Sequence, residues 1–158
     1  MENYSADIII IGGGAAGLMA AAGAAATIEN TGKVLVLEKM PRPGRKIMVT
    51  GKGRCNFTNL KNWNEFSGHI HPKPNFLKPA FYNLTSEKMI DFLEEHGLET
   101  VVERGDRAFP ASHLASEVVD TLLRAAERAG ADVVCNKEVI EISRPESPTI
   151  NDKDAQDE

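Results

Sequence analysis

A chain of 158 residues with 42% hydrophobic and 26% charged side chains can bury one ordinary core and leaves no room for a second full domain. Its formal net charge of -5 argues against a general binder of nucleic acid or anionic membranes, because such partners select for a basic surface. Two cysteines far apart in sequence, Cys55 and Cys135, with no CxxC pair and no secretory signal, argue against a disulfide framework or a cysteine zinc site and for a reducing, cytoplasmic setting.

The first element is Asp7-Ile-Ile-Ile-Ile-Gly, a short apolar run ending in glycine. It reads as a strand buried on both faces, the central strand of a parallel sheet. Residues 8–28 carry no charge over 21 positions, the length of a membrane span, but the run is mostly Gly and Ala and is broken near one end by three glycines. A membrane helix is not expected. Ala15 to Glu29 is alanine-rich and helical, with Gly32 as its stop, and Val34 to Glu38 is a second buried strand, which completes a βαβ unit.

Gly12-x-Gly14-x-x-Gly17, followed by Ala21, falls where a phosphate-binding turn must fall, directly after a buried strand and at the start of a helix. Gly12 permits the turn, Gly14 removes a side chain that would block a pyrophosphate, and Gly17 with Ala21 lets the helix approach the strands. Glu38 closes the second strand 21 positions after Gly17, where a carboxylate accepts hydrogen bonds from an adenosine ribose. The fingerprint does not separate FAD from NAD, although an acidic residue here disfavours a ribose 2′-phosphate.

From Lys39 to Lys61 there are seven cations and no acid, whereas residues 144–158 carry two cations and five acids. The basic stretch is the place for an anionic ligand. Met40 to Trp63 reads as one long functional loop. Beyond it come a short helix over Phe76 to Tyr82 and a helix from a Thr85 cap to His96, stopped at Gly97. A hairpin follows, with arms Leu98 to Glu103 and Arg107 to Phe109, then an amphipathic helix capped by Ser112 and ending at Gly130. Ala131 to Cys135 and Val139 to Ile142 read as strands, and residues 144–158 as an acidic, disordered tail. His69 and His71 share one face of an extended segment but have no cluster of ligands around them, so no metal is expected. Cys55 reads as a packed thiol, having no second cysteine nearby, and Cys135 as a core residue of its strand.

The segments GGGAAGLMAA, VLVLEK, GRKIMVTGKGRCNFTN, NFLKPAF and RAFPAS, in that order, resemble the N-terminal part of the BaiN/YhiN-type, aminoacetone-oxidase-like flavoproteins over residues 4–143. The resemblance implies a Rossmann-like α/β domain of the glutathione-reductase-type FAD-binding fold over residues 1–143, with a small β-hairpin attached. It also implies an FAD-dependent oxidoreductase, with NAD(P)H as the electron donor. It places FAD contacts at Gly12, Gly14, Ala15, Ala16, Gly17, Glu38, Lys39, Arg45 and Lys46, the Arg54-Cys55-Asn56 turn near the cofactor, and Val139 on a strand that meets the adenine. Members of that family run to about twice this length or more, against the usual size of a domain, and carry later ATGG-type and Gly-Asp segments that are not found here. The chain is therefore expected to be an incomplete domain whose catalytic residues are not among those present. A non-catalytic module binding NAD or ADP is the alternative, and neither a nucleic-acid nor a membrane partner is expected.

Overall fold

In the computed structural model, which describes residues 3–28 and 31–144, β1 (Ile8–Ile11) runs parallel to β2 (Val34–Leu37), with Ile8 opposite Val34 and Ile11 opposite Leu37. The crossover between them is α1 (Ala15–Ile28). A third parallel strand, β6 (Ala131–Val134), pairs with the other side of β2, so the sheet order is β1-β2-β6. Among the described residues the central strand is therefore β2 and not β1. Val34, Leu35 and Val36 are all buried, whereas Ile9 and Ile11 are 52% and 55% exposed. Four isoleucines in a row imply burial on both faces, but composition does not say which strand has two neighbours; among the described residues none pairs with the outer edge of β1.

Two helices cover the sheet. Ala21, Ala22 and Ala25 of α1 meet Ala125 and Ala126 of α6 (Ala115–Arg128) over Val34, Val36 and Ala131, and these small side chains let the layers pack closely. A second cluster joins Leu18 of α1, Ile47 of α2 (Arg45–Val49), Leu93 of α5 (Ser86–Glu95) and Val118, Val119 and Leu122 of α6. Leu18, Leu93 and Leu122 are almost wholly buried, and each contributes roughly 1.5–3 kcal/mol of apolar transfer.

The segment expected to be one loop, 40–63, holds α2, a 3-10 turn over Thr50–Gly53 and a two-residue strand, β3 (Thr58–Asn59). A five-residue helix is too short to show a period, and β3 exists only because it pairs with a strand some fifty positions later. That partner is β5 (Arg107–Pro110), which also pairs with β4 (Thr100–Glu103), so the expected hairpin is two-thirds of an antiparallel sheet of order β3-β5-β4. Between β3 and α5 the chain forms α3 (Trp63–Ser67), a 3-10 turn at Pro74–Phe76 and α4 (Lys78–Asn83). The expected single helix over Phe76 to Tyr82 is thus split, with Pro79 in the first turn of α4.

Thr85 caps α5 by accepting the Lys88 N–H, and His96 closes it. The cap of α6 is Leu114 rather than Ser112, because the left-handed His113 (φ 59°) inserts a turn; Ser112 Oγ accepts the Leu114 N–H and donates to Glu117 Oε2. Cys135 lies one position beyond β6 and is half-buried. Residues 139–142 form no strand, since no described strand is placed to pair with them, and Ile140 and Ile142 are exposed. The tail expected from 144 onward lies, beyond Arg144, outside the described residues.

Candidate functional site

β1 delivers the chain into the glycine turn, and Gly12 N–H donates to Leu37 O at 2.8 Å, which binds the turn to the end of β2. Close approach is obligatory at Gly17, where an added Cβ would lie 1.9 Å from the Gly12 carbonyl oxygen. Gly14 is the opposite case. A methyl there meets no heavy atom within 4 Å, so the packing of this chain does not demand a glycine and the space beside it is open.

Glu38 is 9% exposed at the end of β2. Its Oε2 accepts the Gly13 N–H at 2.7 Å, and its Oε1 accepts the Met40 N–H at 2.8 Å. One carboxylate therefore fixes the glycine turn and the start of the next segment, and each oxygen keeps a lone pair for a ligand hydroxyl. Gly44 N–H donates to Gly13 O at 2.8 Å, which lays the head of α2 on the glycine turn and carries Arg45 and Lys46 to the same place. The N-terminus of α1 faces this space with no acidic side chain in its first turn.

These pieces enclose an open cavity of about 1000 Å³, at the upper end of the range for cofactor sites. Of the expected site residues, Gly12, Gly14, Ala15, Ala16 and Gly17 form its floor. Glu38, Lys39, Arg45, Lys46, Cys55, Asn56 and Val139 also line it. Val139 reaches it from an irregular segment, not from a strand; Lys137 N–H donates to Glu38 O and ties that segment to β2. Arg54 does not line the cavity. It turns the other way, to Glu103 and the Phe109 ring. Sequence reasoning missed Ile47, Met89, Val118 and Leu122, which also line the cavity. They sit at ordinary core positions of amphipathic helices, and periodicity does not distinguish a core from a pocket wall.

The basic stretch is less free than its charge implies. Lys39 pairs with Glu138 at 3.8 Å, Arg42 with Asp120 at 2.7 Å, Lys61 with Glu65 at 3.9 Å, and Arg54 with Glu103. Of the other three, Arg45, Lys46 and Lys52, the first two line the cavity and are placed to face an anion there. Burial pushes the Cys55 thiol up, with a Thr50 hydrogen bond opposing, and burial together with the Glu38 charge pushes Cys135 up. Neither cysteine is poised as a thiolate nucleophile. His96 closes α5 by donating to Phe92 O at 2.7 Å. His69 and His71 are exposed, and among the described residues no group of three side chains is assembled that could hold a metal. No helix of the described residues is long and apolar enough to cross a membrane.

The family model of the HI0933-like protein Rossmann domain matches residues 6–157. The ribosomal RNA dihydrouridine synthase of Escherichia coli (strain K12) is 33% identical over 115 residues, covering 73% of this chain and 28% of that protein. The 3-dehydro-bile acid delta(4,6)-reductase of Clostridium scindens is 35% identical over 99 residues, covering 63% of this chain and 24% of that protein. The chain thus spans about a quarter of the length of these curated relatives. Among solved structures, the 3-ketosteroid-delta4-(5alpha)-dehydrogenase of Rhodococcus jostii RHA1 superposes with a TM-score of 0.56 at 16% identity, over 86% of this chain and 38% of that one, and shares its fold.

Proposed function

The chain belongs to the HI0933-like Rossmann-domain family of flavoproteins, and from that premise we propose that it is the FAD-binding portion of an FAD-dependent oxidoreductase. The observation that carries this reading is the pairing of an open Gly14 side with a carboxylate at the end of β2 that already holds the glycine turn in place. The residues present fit the group. Gly14 leaves room that a Cβ would fill, and the helix N-terminus, Arg45 and Lys46 bring positive charge to a diphosphate. Glu38 has lone pairs left for both hydroxyls of an adenosine ribose, and the 137–139 segment beside it offers backbone groups to the adenine.

Bound FAD supplies two-electron hydride transfer between a reduced nicotinamide and an organic substrate. What this chain contributes is binding and orientation. The glycine turn fixes the pyrophosphate, Glu38 sets the direction in which the adenosine lies, and Ile47, Met89, Val118 and Leu122 exclude water from the remainder of the cavity.

For the whole protein we take NAD(P)H as the electron donor. The substrate class is one with a carbon–carbon double bond conjugated to a carbonyl, which the uridine reduced by a dihydrouridine synthase and a 3-dehydro delta(4,6) bile acid, named in the two relatives, have in common. A small molecule is favoured over RNA for this chain, because four of the seven cations in its basic stretch are engaged in internal ion pairs. The free thiols of Cys55 and Cys135 support a cytoplasmic setting.

The test is a calorimetric titration of the chain with FAD, NAD, ADP and a uridine-containing RNA oligonucleotide. FAD binding more tightly than ADP and NAD is the expected result. Equal affinities for all three would leave a plain ADP-binding module, and tight, salt-sensitive RNA binding would return the basic stretch to a nucleic-acid role.

A further inference from the structure

Outside the cavity lies a polar cluster that the nucleotide reading does not use. The Arg54 guanidinium pairs with the Glu103 carboxylate on β4 and packs over the Phe109 ring on β5, its Cζ 4.5 Å from the ring centroid. His113 joins both partners, with Nδ1 3.2 Å from Arg54 Nη2 and Nε2 3.5 Å from Glu103 Oε1. The cluster fastens the loop 50–56 to the small antiparallel sheet at a point of unusual backbone. Gly51, Lys52 and Gly53 are left-handed, Arg54 is right-handed, and Cys55 is left-handed again at φ 56°. A non-glycine residue holds that conformation only where its neighbours over-determine it.

The consequence is that consecutive side chains leave the backbone in opposite directions. Arg54 goes to the small sheet, while Cys55, 4% exposed, and Asn56 go to the cavity wall. The position of that wall is informative. Glu38 and the 137–139 segment mark the adenosine end, and Gly44 sits on the glycine turn. The five residues of α2, roughly 7 Å of helix, then separate Gly44 from Thr50, which lines the cavity together with Cys55 and Asn56. A dinucleotide with its ribose on Glu38 and its pyrophosphate on the glycine turn has only its second half left to place there.

Resting on the flavin reading above, we propose that Arg54, clamped by Glu103 and His113 and stacked on Phe109, is a positioning residue that shapes the Cys55–Asn56 turn into the wall for the riboflavin half of FAD. The small sheet is then a part of the binding site that acts without touching the ligand. The cluster governs the selectivity for FAD over ADP and leaves the ADP half alone.

Arg54→Ala and Glu103→Gln, made separately in this chain, test the idea by titration with FAD and with ADP. Each variant is expected to lose about tenfold in FAD affinity while ADP affinity stays within about twofold. Arg54→Lys, which keeps the charge but loses the planar fork and the ring stacking, is expected to fall between parent and Arg54→Ala. The visible spectrum of bound FAD should move toward that of free FAD in the same order. Unchanged FAD affinity in both variants overturns the proposal, and so does a loss shared equally by FAD and ADP, which marks general destabilisation. A parent chain that binds ADP but gains nothing from the riboflavin half overturns it as well, whereas a parent that binds neither ligand overturns the flavin reading itself.

Discussion

Gly13 and Glu38, on opposite sides of the βαβ crossover, are joined by a 2.7 Å hydrogen bond from the Gly13 N–H to Glu38 Oε2. A side chain whose motif assigns it to a ribose is thereby also part of the scaffold. Glu38→Gln should weaken ADP and FAD binding by about 1–3 kcal/mol, the range for hydrogen bonds to a charged group. It should also lower the melting temperature of the ligand-free chain, because a carboxamide has one accepting oxygen where the carboxylate uses two. Calorimetry and thermal melting without ligand measure the two effects; unchanged affinity would place the ribose elsewhere.

The two glycines of the turn should separate folding from binding. Gly17→Ala drives a Cβ against the Gly12 carbonyl and should cost at least about 1–3 kcal/mol of stability. Gly14→Ala meets nothing within 4 Å and should change stability by no more than about 1 kcal/mol, the scale of a helix N-cap substitution. Its methyl should nevertheless cut FAD and ADP affinity severely. Equal nucleotide binding by parent and Gly14→Ala, in a folded variant, would mean that the pyrophosphate does not cross this turn.

Arg45 and Lys46 line the cavity without an ion-pair partner among the described residues. Replacing both with Ala should reduce affinity for FAD and ADP much more than for adenosine, since only the former carry phosphates to neutralise. A double variant that matches the parent for all three ligands would make α2 a merely solvated helix.

Alkaline stability should depend on Cys55. Burial raises its folded-state pKa above the ordinary thiol value of 9.0. The folded state therefore holds the proton more tightly than the unfolded state, and the resulting stability is present below pH 9 and lost as pH rises through the folded value. A Cys55→Ala variant should show a flatter decline of denaturant midpoint above pH 9 than the parent. An identical decline would assign the loss to other groups.

The sequence by itself determined the βαβ unit with its glycine turn and terminal Glu38, because those signals are local: an apolar run, three glycines at fixed spacing, an alanine-rich helix and a carboxylate all lie within some thirty residues. It also located α5 with its Thr85 cap, α6 and the β4–β5 turn, whose apolar periods and turn residues are carried by neighbours in the chain, while the cap of α6 fell at Leu114 rather than Ser112. Tertiary structure decided what depends on partners distant in sequence. Among the described residues, pairing with β6 made β2 central and left β1 at an edge. Pairing with β5 created β3, and contacts with Glu103, His113 and Phe109 turned Arg54 away from the cavity that its neighbours line. Ile47, Met89, Val118 and Leu122 became cavity wall for the same reason. An apolar residue on a helix face has the same sequence signature whether protein or ligand fills the space in front of it, and only the packing of the elements leaves that space open.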